Sequence, residues 1–141
     1  IGVRLLEAAP EDYEIKVEWG GRGTDVQGDN SGFYPELPGL MQGKLNTSYT
    51  ASALGDNGSV PYATPVCDGC TLGGYGWYLP AKDTLDLMYH RRNTIGGFTE
   101  WYYWSSTEED AEAAWFQDFH DGRQSTNWKN AAQYVRPVRR F

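Results

Sequence analysis

The chain has 141 residues, 19 carboxylates against 12 Lys and Arg, and a net charge of −7. That length suits one domain, residues 1–141, and that charge speaks against nucleic acid as a partner. No apolar run is long enough for a membrane helix, so membrane insertion is not expected.

The first residue is Ile1 and no signal peptide is visible, so the chain reads as the C-terminal fragment of a longer protein. Aromatics make up 15% of residues beside 17 Gly and 7 Pro, which suggests large side chains holding together much irregular chain. Residues 13–19 alternate, with Tyr13, Ile15, Val17 and Trp19 on one face, and predict a half-buried strand. Gly20-Gly21-Arg22-Gly23 breaks it. Lacking a Lys-Ser/Thr ending and a following helix, this is a turn and not a phosphate loop. Loop is expected to about Pro38, with a turn at 29–32.

A short helix should start with Asn46 or Thr47 as N-cap and end at Gly55. An irregular stretch with Pro61, Pro65, Cys67 and Cys70 follows. Pro80 suits a first helical position, and Leu85, Met88, Tyr89 and Arg92 share one face of a helix expected to stop near Asn93. Residues 102–107 and 113–120 read as strands joined by a turn at 108–110, where acids are expected to be solvated. Asp121-Gly122 signals a hairpin, 125–131 reads as loop, and 134–141 as a final strand re-aimed at Pro137. Strand, helices, then a run of antiparallel strands is the order of an α+β domain.

Chemistry is weakly signalled. Cys67-Asp68-Gly69-Cys70 reads as two inert thiols or as a local disulfide. A metal is not expected, because the second ligand pair of a zinc site is missing. His120 beside Asp121 is the only tempting acid–base pair, and neighbours on a strand end point apart. Ser105 and Ser106 have no nearby base, no nucleophile elbow is present, and no cofactor is implied, so an enzyme is not expected. Basic residues are uneven: Arg91, Arg92, Arg136, Arg139 and Arg140 supply five of the twelve. They read either as stems covering aromatic surface or as a patch for an anionic partner. If Trp115 and Phe119 face the core, then Ala114, Phe116, Asp118 and His120 face outward. Across the hairpin come Arg123, Ser125, Thr126, Trp128 and Lys129, and together these resemble a recognition surface. The alternative is that Phe116 and Trp128 cover each other or a loop.

Five motifs occur in order: Gly43-Lys44-Leu45-Asn46-Thr47, Leu72-Gly73-Gly74-Tyr75-Gly76-Trp77-Tyr78-Leu79-Pro80, Tyr103-Trp104-Ser105-Ser106-Thr107, Ala114-Trp115 and Tyr134-Val135-Arg136-Pro137-Val138-Arg139. Together they resemble the Lcl C-terminal domain family, named for the C-terminal domain of a bacterial collagen-like adhesin. The resemblance implies a C-type-lectin-like fold, related to formylglycine-generating-enzyme-like domains and to retroelement-diversified variable proteins. In such folds the terminal strands pair, two helices flank the sheet and long loops carry the ligand site. It also implies a secreted or cell-surface location, trimers, and binding of sulfated glycosaminoglycans.

Three departures stand out. Ala81 replaces the usual Ser after Leu-Pro, so Asp83 is expected to compensate for a lost helix cap. The calcium signatures of sugar-binding C-type lectins are absent, as are the paired active-site cysteines of the formylglycine-generating enzymes. The expectation is therefore a non-enzymatic adhesion domain that binds an anionic polysaccharide. Its contacts would come from Arg91, Arg92, Arg123, Lys129, Arg136, Arg139, Arg140, Phe116, His120 and Trp128. The alternatives are a protein-binding module diversified over 113–129 and, less favoured by the motifs, an enzyme of the formylglycine-generating type.

Overall fold

A computed structural model describes residues 6–27, 39–55 and 61–140. In chain order it has β1 (Leu6–Ala8), β2 (Ile15–Glu18), α1 (Gly39–Leu54), α2 (Ala63–Asp68), α3 (Lys82–His90) and α4 (Arg92–Ile95). There follow β3 (Tyr102–Glu108), β4 (Ala113–Asp118), β5 (Gln124–Trp128), β6 (Ala132–Val135) and β7 (Val138–Arg140). Five strands form one sheet in the order β2-β6-β3-β4-β5, antiparallel except where β3 meets β6. β1 and β7 pair separately, Leu6 opposite Arg140 and Ala8 opposite Val138. The fold is α+β, as the element order implies.

Adjacent side chains on β3 serve opposite faces. Trp104 joins Val17, Trp19, Ala114, Phe116 and Val135 under Ala63 and Cys67 of α2. Tyr103 joins Phe119 and Val138 under Leu85 and Met88 of α3. A buried indole needs a partner for its N–H. Trp104 Nε1 donates to the Val17 carbonyl and Trp19 Nε1 to the Ser105 carbonyl, each at 2.9 Å, so two tryptophans lace β2 to β3 across the intervening β6.

The hydroxyl run Ser105-Ser106-Thr107 is a bulge: Trp104 faces Phe116, yet Glu108, four residues on, faces Ala114 only two residues back. Backbone groups freed there find other partners. Ser106 N–H donates to the Pro80 carbonyl at 2.8 Å, and Ser105 Oγ donates to the Trp115 carbonyl at 2.8 Å. Thr107 Oγ1 accepts the Lys82 N–H at 3.1 Å. Thr107 thus caps α3 from another element, while Ala81 at the N-cap position offers no side-chain hydrogen bond.

Several expectations are corrected. Tyr13 lies in a 3-10 turn ahead of β2 and is exposed, so the strand starts at Ile15. α1 begins at Gly39, not at Asn46 or Thr47. Both of those are buried inside it, with Thr47 Oγ1 against the Leu79 backbone, while Gly55 does end the helix at φ +66°. α2 forms where irregular chain was expected, with Pro65 in its first turn, where a missing N–H costs nothing. Pro80 stays outside α3, which ends at His90 before the separate α4. Gln124–Trp128 is a strand, not a loop, and the expected final strand is two, β6 in the large sheet and β7 outside it, parted at Pro137. The turn expected at 29–32 lies outside the described residues.

Two charged knots are sealed inside. Glu108, expected on a solvated turn, is buried at the end of β3 and takes the Lys129 ammonium plus the N–H groups of Val26 and Gln27, each at 2.8 Å. Lys129 Nζ also donates to the Thr24 carbonyl at 2.9 Å, so the segment 24–27 is tied to β3 and to the residue that follows β5. Arg136 is the second knot. It binds Glu14 at 2.9 Å and the carbonyls of Ala9 and Gly96. Burial raises the Glu14 pKa above its usual range, against the lowering pull of Tyr103 and Arg136, and burial pushes the Tyr103 phenol up.

Gln133 has no such partners. Both its amide atoms are buried without a hydrogen bond in the described structure, opposite Val17 on the core face of β6. An unpaired buried amide costs about 1–3 kcal/mol. Gln133→Leu is therefore expected to raise the unfolding free energy by about 1–2 kcal/mol in urea titrations. A loss of stability would mean that the amide is paired after all.

Candidate ligand-binding surface

Three accessible arginines, Arg91, Arg92 and Arg123, lie on or next to two segments that pack together at Tyr89. The apolar stripe of α3 places Tyr89 edge-on to Phe119, with ring centroids 5.4 Å apart. The β4–β5 turn then folds against that ring. Gly122, at φ +84°, lies so close that a Cβ there would sit 2.5 Å from Tyr89, so only glycine fits. Two amides clamp helix to hairpin: Gln117 Nε2 donates to Asp86 at 2.8 Å, and Gln124 Nε2 to the Lys82 carbonyl at 2.7 Å. The turn itself is closed by Gly122 N–H to the Asp118 carbonyl at 2.7 Å and by Asp121 Oδ1, which accepts the Arg123 N–H at 2.9 Å.

The Arg91-Arg92 segment is therefore brought beside the turn that carries His120 and Arg123. Arg92 lies 4.0 Å over the Tyr89 ring and donates to its carbonyl, which holds the guanidinium in place at little further entropic cost. Arg91, His120 and Arg123 are exposed. Arg92 also lines a groove of about 230 Å³ with Asn93, 96–100 and Phe119. Carboxylates are interleaved: Glu100 lies 3.5 Å from His120 Nδ1, and Asp86 3.6 Å from His90 Nδ1.

The other expected contacts fall elsewhere. Arg139 stacks 3.7 Å over Tyr75 and pairs with Glu7, and the Arg140 side chain lies outside the described residues. Trp128 is exposed on β5 with the Arg22 guanidinium 4.5 Å over its ring, and Arg22 pairs with Glu112 at 2.9 Å. Three residues are withdrawn by burial. Lys129 and Arg136 are the inner cations of the two knots, and Phe116 packs on Tyr102 in the core at 4.9 Å between centroids. The parity expected for β4 holds only at its end, where Phe119 is buried and His120 exposed. Ala114, Phe116 and Asp118 are buried, while Trp115 is half-exposed beneath the Lys82 ammonium, 3.9 Å away.

Asp121 is spent on the Arg123 backbone, His120 turns toward Glu100, and Ser105 and Ser106 are buried in the bulge. Among the described residues no group of three or more metal-binding side chains gathers. Tyr89 and Arg22 were not singled out by the sequence. Arg22 is marked by Trp128, distant in the chain, and Tyr89, read only as part of the α3 face with Arg92, by Phe119 and Gly122.

Residues 24–139 match the family model of the Lcl C-terminal domain. Among solved structures the chain is similar to the crystal structure of a fimbrial protein from Bacteroides ovatus ATCC 8483. The TM-score is 0.56 and the identity 16%, over 89% of this chain and 34% of that one, so the likeness is one of fold. The chain spans about a third of that protein. No curated protein matches.

Proposed function

The chain belongs to the Lcl C-terminal domain family, and from that premise we propose a non-enzymatic, secreted or surface-displayed adhesion domain that binds sulfated polysaccharide. The observation that carries this reading is the Tyr89 ring, on which Arg92 stacks and the Gly122 turn packs, with exposed Arg91 and Arg123 each adjacent in the chain to one of those contacts. We further propose that the fold is C-type-lectin-like. Pairing of β1 with β7, α2 and α3 on opposite sides of the sheet, and long connections before α3 support it. A homotrimer would repeat one weak patch three times and add by multivalency.

The test is retention on heparin as a function of salt. The parent protein should be retained at low salt, and Arg91→Ala, Arg92→Ala and Arg123→Ala combined should weaken binding by about tenfold or more, that is about 1.4 kcal/mol or more. A parent that runs through at low salt, or a triple variant that elutes with it, overturns the assignment.

A second reading, a protein-binding module with diversified contacts, is supported by β5. None of Gln124–Trp128 is buried, and Trp128 is exposed at its end. A near-copy of the segment beside a reverse transcriptase, differing only at adenines, would establish it, and its absence would remove it.

A further inference from the structure

Cys67 and Cys70 lie at the end of α2, in a turn built tightly enough to define their chemistry. Cys70 N–H donates to the Cys67 carbonyl at 3.2 Å, and Gly69 N–H to the Pro65 carbonyl at 2.9 Å. A Cβ on Gly69 would stand 3.1 Å from that same Pro65 oxygen. A turn closed by such an i to i+3 bond keeps its end Cα atoms within about 7 Å, and a disulfide spans about 4.4–6.8 Å.

The two thiols differ in access. Cys67 is fully buried in the core beside Ala63 and Trp104. Cys70 is half-exposed and lines a groove of about 410 Å³ with Tyr13, Ile15, Val66, Leu72 and Pro137. We propose that Cys67 and Cys70 form an intramolecular disulfide by an ordered route: a small-molecule disulfide enters the groove, Cys70 attacks it, and Cys67 closes the bond from inside.

With glutathione disulfide as oxidant the step balances. The Cys70 thiolate attacks one glutathione sulfur, a Cys70–glutathione bond forms, and the first glutathione leaves as thiolate. The Cys67 thiolate then attacks Cys70 Sγ, the protein disulfide forms, and the second glutathione leaves. Two protein thiols are oxidised, one glutathione disulfide is reduced to two thiols, and the two protons pass to the glutathione thiolates. Burial, first, and the neighbouring Cys70 and Asp68 raise the Cys67 pKa, so closure is the slow step and quickens as pH rises.

The folded protein is incubated with glutathione disulfide, quenched in acid, denatured, alkylated and weighed intact. Expected is a mass about 2 Da below the reduced chain with no alkylated thiol, restored to two alkylatable thiols by dithiothreitol. Cys67→Ala should trap one glutathione on Cys70, a gain of about 305 Da, whereas Cys70→Ser should gain none while folded. A parent chain that keeps two alkylatable thiols, or that stops at the glutathione adduct, overturns the disulfide, and that measurement needs no variant. An adduct on folded Cys70→Ser overturns the order of attack.

Discussion

Lys129→Ala is expected to lower the unfolding free energy by about 3–5 kcal/mol, because it leaves the Glu108 carboxylate buried and without its counter-charge. The cost is not the loss of one contact. Glu108 also holds the N–H groups of Val26 and Gln27, and Gln27 in turn donates to the Ser106 carbonyl at 2.7 Å, so the segment 24–27 loses its anchor. Combining Lys129→Met with Glu108→Gln should recover more than half of the loss, since a neutral amide keeps an acceptor for the backbone and no charge remains inside. Urea unfolding followed by tryptophan fluorescence reads this directly, as Lys129 Nζ lies 4.9 Å over the Trp19 ring. A loss below about 1 kcal/mol would show that the pair is hydrated and has a surface ion pair's modest weight.

Arg136→Ala is expected to cost a similar amount, about 3–5 kcal/mol, and to change how stability responds to acid. In the parent, burial already raises the Glu14 pKa, so Glu14 favours folding most when protonated and that contribution is lost as pH rises through its folded value. The variant removes two influences that lower this pKa, the hydrogen bond and the positive charge of Arg136. Glu14 should then bind its proton at a higher pH. Stability of the variant should accordingly rise more than that of the parent as pH falls from about 7 to about 5. Denaturant midpoints at several pH values test the sign. Parallel curves for the two proteins would mean that Glu14 does not titrate against Arg136. If glycan binding is lost in this variant, unfolding is the cause to exclude first.

α3 and the Asp121-Gly122 hairpin were legible because their signals are local: apolar residues at helical spacing, and a glycine where φ must be positive. The parity of β4 was not. Both its faces are covered, one by Trp104 and Tyr102, the other by α3 and Lys82, so apolar residues sit on both and alternation does not choose. β5 reads as loop because Gln-Ser-Thr-Asn-Trp carries no apolar stripe, and an edge strand held by main-chain bonds needs none. Arg136 and Lys129 were read as surface charges because an isolated cation usually is one. Arg136 and its carboxylate lie 122 residues apart, and no local spacing joins them. The Tyr89 cluster was hidden for the same reason: its halves are visible as an Arg pair and a turn, but only packing brings them together.

The short β1–β7 ladder also has a mechanical meaning. Leu6 faces Arg140 and the register runs inward to Ala8 and Val138, so a pull on the two ends of the described chain loads one rung at a time. Strands loaded in that direction peel apart; they do not have to shear all at once. The peeling does not run on freely. Immediately past the third rung, Ala9 N–H holds the Pro137 carbonyl, and Arg136 grips the Ala9 carbonyl and Glu14. A domain tethered at its ends would thus give way over three residue pairs and then meet a latch, which keeps the sheet and the Tyr89 surface out of the line of force.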